Sequence, residues 1–148
     1  MSSEPSAHPL EGGHLLAAIT RELVRLHAGH YGKGPTKARS YWAGDTLVCQ
    51  MEESLTPVER TLVEAGKEPE VHALRRGFQD VMEDEFTAAV ERLTGRRVRA
   101  FLSQVHVDPD IDVEVFVLEP TKDGGSSEAR DATSDAVPGG RRDENQEA

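Results

Sequence analysis

The feature that most constrains this chain is a change of period. From about Pro69 to Leu93 the residues Val71, Leu74, Phe78, Met82, Phe86, Ala89, Val90 and Leu93 recur at spacings of three and four, the stripe of one long helix. Gly95 ends it. Two runs follow, about Arg97 to Val107 and Ile111 to Leu118, and the second alternates with a period of two. Asp108-Pro109-Asp110 between them is a turn sequence, in which Pro fixes φ and Asp bonds its own backbone. A helix that long, followed at once by a hairpin, needs a sheet surface to cover its stripe.

The same switch occurs earlier in the chain. Leu16, Ile19, Leu23, Leu26 and His30 predict a helix from about His14 to Ala28 or Gly29, with Gly29 as its stop. Arg39 to Trp42 and Thr46 to Met51 predict a hairpin around Ala43-Gly44-Asp45, with Leu47, Cys49 and Met51 on the core face. Between the hairpins, Thr56 at N-cap, Pro57 at N1 and Glu59 at N3 predict a helix to about Ala65, closed by Gly66. The order helix, hairpin, helix, helix, hairpin therefore predicts an α+β fold: a four-stranded antiparallel sheet with helices on one face.

Patterning also assigns faces. In the last strand Ile111, Val113, Val115 and Val117 are expected to face the helices. Phe116 and Leu118 would then lie on the other face beside Phe101 or Val105, an apolar patch suited to self-association. Arg75, Arg76, Asp80, Glu83, Asp84, Glu85, Glu91 and Arg92 are expected to form the solvated face of the long helix. His14, His27, His30 and His72 are expected at helix surfaces or boundaries. Gly77 within the stripe costs about 1 kcal/mol relative to Ala, which suggests close approach of another element.

Residues 1–13 lack periodicity and read as a flexible lead, 14–120 as one domain, and 121–148 as a disordered acidic tail almost without large apolar residues. A formal net charge of −10 over 148 residues argues against broad nucleic-acid binding. No apolar run reaches the roughly 18 to 20 residues that span a bilayer, and Met1-Ser2-Ser3-Glu4-Pro5 lacks the order of a signal peptide. A cytoplasmic protein without direct membrane insertion is expected. Cys49 stands alone, so neither an internal disulfide nor a thiolate-rich zinc site can form, and it is expected to be a buried strand residue.

The candidate site is Gly32-Lys33-Gly34-Pro35-Thr36-Lys37-Ala38-Arg39, where three cations and two glycines sit between helix and strand. Lys33, Gly34, Thr36, Lys37 and Arg39 either form a surface for an anion or partner, or tie the first helix to the sheet. Pro35 and the strand that follows exclude a Walker A loop. His106, Asp108 and Asp110, with Asp112 beyond, suit a divalent ion by residue type. The pattern lacks the sixth-position Gly and flanking helices of a calcium loop, and a turn is the simpler reading. No nucleophile stands in a motif with a base, so neither catalytic residues nor a cofactor are assigned and a non-enzyme is expected.

Three stretches together resemble the MpsC-like family of small bacterial proteins, over about His14 to Pro120. They are Gly32 to Arg39, Leu55 to Gly66 (Leu-Thr-Pro-Val-Glu-Arg-Thr-Leu-Val-Glu-Ala-Gly), and His106-Val107-Asp108-Pro109-Asp110-Ile111. The family takes its name from a component of a sodium-translocating, membrane-potential-generating system. The resemblance implies a soluble accessory protein linked to ion or inorganic-carbon transport, with a membrane transport system as partner. It carries no catalytic residues over.

Overall fold

A computed structural model describes residues 11–121 of the chain. Most of the expected tail and most of the expected lead lie outside the described residues. The elements are α1 (Gly12–Tyr31), β1 (Lys37–Ala43), β2 (Thr46–Glu52), α2 (Pro57–Glu64), α3 (Glu68–Thr94), β3 (Val98–His106) and β4 (Ile111–Leu118). The fold is the α+β arrangement that the pattern predicts, with one antiparallel sheet in the order β1-β2-β4-β3.

Local signals set most boundaries. Thr56 Oγ1 accepts the Glu59 amide at 3.2 Å while Glu59 Oε1 accepts the Thr56 amide at 2.9 Å, the reciprocal capping box that starts α2. The first helix is longer than expected at both ends. It passes through Gly29 and stops at Gly32, which adopts φ 74° and donates its amide to the Ala28 carbonyl.

Helices α1 and α3 lie on one face of the sheet. Ile19 and Leu23 from α1, Met82, Phe86 and Val90 from α3, and Leu47, Cys49, Met51, Phe116 and Leu118 from the sheet form the main core. Cys49 is buried there, and burial pushes its thiol pKa up to about 11. Glu22 meets Arg92 and His30 meets Glu85, so the two helices run antiparallel. Tyr31, the last residue of α1, stacks on Phe78 at 4.6 Å. The N-terminal part of α3 therefore extends beyond the end of its neighbour.

The face of β4 is the reverse of the expectation. Asp112, Glu114, Phe116 and Leu118 point into the core, and Ile111, Val113, Val115 and Val117 lie on the open side. Both sets contain large apolar residues, so alternation alone does not choose between them. Register does. Leu47, Cys49 and Met51 of the core face stand opposite Phe116, Glu114 and Asp112, and Phe101 stands opposite Phe116 at a ring distance of 5.0 Å. Phe101 is thus the expected neighbour, on the opposite face from the expected one.

Candidate functional site

The basic segment divides between two roles. Lys33 Nζ donates to the carbonyls of Glu53 and Leu55 at 2.6 and 3.3 Å, and Thr36 Oγ1 donates to Glu53 Oε2 at 2.8 Å. Gly34 lies against α1, where an added Cβ would stand 3.4 Å from that of Ala28. These three residues tie α1 to the turn after β2. Lys37 and Arg39 point the other way, onto the open side of the sheet, where they line a shallow groove of about 290 Å³ with Gln50 and Glu52. Lys33 does not converge with them.

The residues His106, Asp108 and Asp110 do not converge either. Asp110 accepts the amides of Ser54 and Leu55 at 3.2 and 3.0 Å, fixing the approach to α2. His106 Nδ1 donates to the Pro109 carbonyl at 2.7 Å, and Asp108 is exposed at the turn. Among the described residues no group of three or more His, Cys, Asp and Glu side chains is placed to hold a metal ion.

A buried polar network under the sheet was not foreseen from the sequence. Arg75, expected on the solvated face of α3, is 1% exposed, and His27, expected near the surface, is fully buried. The Arg75 guanidinium brackets Glu59 through Nε and Nη2 at 2.6 and 2.8 Å. It also donates to the Ser54 carbonyl at 3.0 Å and reaches Asp112 Oδ2 at 3.4 Å. Its flat face lies 4.1 Å from the Tyr31 ring centroid, and His27 Nε2 stands 3.4 Å from Asp112.

Burial pushes the Glu59 carboxyl up, but the bonds from Arg75 and Thr56 outweigh it and hold the group below its usual range. Burial also pushes Glu114 up, and the Asp112 charge beside it adds to the effect, so Glu114 holds its proton well above the ordinary carboxyl range. Among the described residues its Oε2 atom and Asp112 Oδ1 have no hydrogen-bond partner. The opening beside Arg75, between His72, Arg76, Gln79, Gln104 and Val105, is about 50 Å³. That volume suits a water or two rather than a substrate. The network joins α1, α2, α3 and β4.

Among the described residues, apart from the lone Val58 on α2, apolar side chains are exposed together on the sheet and on α3. On the open sheet face, register aligns Tyr41, Val48, Val115 and Leu102 in one row across all four strands. Tyr41 and Leu102 are 40% and 56% exposed. On α3, Ala73, Leu74, Gly77, Phe78 and Val81 line a groove of about 300 Å³. Leu74, expected in the core stripe, is 42% exposed.

The fold and these surfaces define a small two-layer α+β domain whose sheet, among the described residues, is open on one side. The chain belongs to the MpsC family, described as "Na+-translocating membrane potential-generating system (MpsC)", whose model matches residues 11–120. Neither a curated protein nor a solved structure matched the chain. No helix among the described residues is long and apolar enough to cross a membrane.

Proposed function

We propose that this protein is a non-catalytic accessory component of a sodium- or inorganic-carbon-linked membrane transport system, acting at the cytoplasmic face as a dimer. The family description supports the link to a sodium-translocating system. The observation that carries the reading is the apolar row Tyr41-Val48-Val115-Leu102 on a sheet face that no helix among the described residues covers. A two-fold axis along the strands, between β2 and β4, sets Tyr41 of each copy on Leu102 of the other and Val48 on Val115. It also sets Lys37 and Arg39 against Gln104 and His106 rather than against each other.

Four strands about 4.8 Å apart and some eight residues long give a flat footprint of roughly 500 Å². Side-chain relief raises the accessible area toward the about 800 Å² per partner of a standard interface. Edge pairing is the less favoured mode, since β3 carries a bulge between Val98 and Ala100 and β1 presents Lys37 and Arg39. The alternative, a small-anion sensor, retains only Lys37 and Arg39 of its expected residues, with the Glu52 carboxylate in the same groove.

The test has two parts. Light scattering reads the mass of the purified chain, and co-purification from native membranes in mild detergent reads its association with sodium-translocating subunits. A dimer that travels with those subunits supports the reading. A monomer that never does so overturns it, and phosphate- or bicarbonate-induced amide shifts at Lys37 and Arg39 would favour the sensor.

A further inference from the structure

Helix α3 carries an apolar strip, Leu74, Phe78 and Val81, of which the described residues cover only Phe78, half-buried against Tyr31, and leave Leu74 and Val81 exposed. The ring contact with Phe78 marks where α1 ends, and α3 continues back from there for about ten residues, or roughly 15 Å. Leu74 lies on this overhang, and with Phe78 and Val81 it recurs at spacings of four and three; Leu74 and Val81 are 42% and 62% exposed. Gly77 lies between them. A Cβ built on it meets nothing within 4 Å, so the close approach that its sequence position suggests is not made by the described part of the chain. A glycine in mid-helix costs stability, and here it leaves a notch between apolar shoulders.

Charge selects what fits. Glu70 lies at one end of the groove, Asp84 and Glu85 at the other and Asp80 along the flank, all exposed. Pairing α3 with a second α3 across Gly77 brings Glu70 against Asp84 when antiparallel, and each acid against its own copy when parallel. Either arrangement sets like charges together. The rest of the 148-residue sequence offers little to fill the groove, since 122–148 contains no large apolar residue beyond Val137 and 1–10 only Met1 and Leu10. An anionic lipid surface would be repelled by the same rim.

We propose that this α3 groove docks an amphipathic helix of a partner protein, one whose apolar residues at spacings of three and four are flanked by Lys and Arg. The partner's Leu-type side chains seat between Leu74, Phe78 and Val81, its backbone crosses at Gly77, and its cations meet Glu70, Asp80 and Asp84. That the helix belongs to a membrane subunit rests on the proposed function, and Lys/Arg-rich cytoplasmic segments next to membrane spans have this chemistry.

The test uses a synthetic helical peptide with leucines on one face and lysines beside them, titrated by calorimetry against the full chain. Binding is expected with wild type, about tenfold weaker with Val81→Glu and with Gly77→Leu, and lost when the peptide's lysines are replaced by glutamates. Circular dichroism confirms that both variants fold. Equal binding of the lysine and glutamate peptides, indifference to Gly77→Leu, or no binding at all overturns the proposal, as does a preference for anionic vesicles over the peptide. Co-purification with membrane subunits separates this proposal from the reading beneath it. If Val81→Glu still co-purifies, the groove is not the docking site although the accessory role stands. If wild type does not co-purify while the peptide binds, the accessory role fails and the groove stands.

Discussion

Arg75 holds both carboxylate oxygens of Glu59, with Nε 2.6 Å from Oε2 and Nη2 2.8 Å from Oε1, and each residue is 1% exposed. The same Glu59 closes the capping box with Thr56. One carboxylate thus starts α2 and anchors it to α3, and Arg75 extends the link to Asp112 on β4. Removing the guanidinium leaves two buried carboxylates without their cation. Arg75→Ala is expected to cost about 3 to 5 kcal/mol in urea unfolding. Arg75→Lys, which keeps the charge but not the planar fork, should fall between Ala and wild type. A loss within the range of a surface substitution would contradict this account of the network.

Glu114 makes stability depend on pH in a defined sense. Its folded pKa is raised, by burial first and by Asp112 second, so the folded state holds this proton where an unfolded glutamate has lost it. The contribution is complete below the unfolded value of about 4.3 and is lost as pH rises through the folded value. Glu59 acts oppositely, because its pKa is lowered and its contribution is lost in acid. Glu114→Gln should change urea midpoints little near about pH 5 and raise them near about pH 8, flattening the decline between. An unchanged slope would argue against a protonated Glu114.

Gly77 separates stability from docking. Its side-chain direction is open, so Gly77→Ala should stabilise the isolated chain by about 0.5 to 1 kcal/mol in thermal or urea unfolding. The added methyl also narrows the notch. Destabilisation would place another part of the chain over this face.

Leu102 and Tyr41 lie at opposite ends of the open row, on the two edge strands. Leu102→Glu should leave the monomer's stability within about 0.5 kcal/mol, because the residue is more than half exposed. In the proposed dimer it would place a carboxylate on the other copy's Tyr41, and light scattering should report a shift to monomer. An unchanged oligomeric mass would remove the sheet face as the interface.

The element order, the capping box, the first hairpin and the core face of its second strand at Leu47, Cys49 and Met51 could be read from periodicity and turn chemistry alone. The site could not, because a polar residue inside a stripe breaks the rule that the stripe is apolar. Val71, Arg75, Phe78, Met82, Phe86 and Ala89 are spaced by four, three, four, four and three, a better helical face than one passing through Leu74. That spacing was the available signal for Arg75. Asp112 and Glu114 misdirected β4 for the same reason, since their inward position makes sense only once Arg75 and His27 are known to stand beneath Asp112. The basic segment looked like one cluster because its residues are adjacent in sequence. The strand that begins at Lys37 turns Lys37 and Arg39 away from Lys33.

The most direct test of the accessory role is to solubilise native membranes in mild detergent, capture the sodium-translocating subunits through a tag on one of them, and quantify this chain in the eluate. The account predicts its presence at a fixed ratio to those subunits, in even number, and its loss when Val81→Glu and Leu102→Glu are combined. Wild-type chain that washes away completely, while the membrane subunits remain assembled and active in sodium transport, would contradict it.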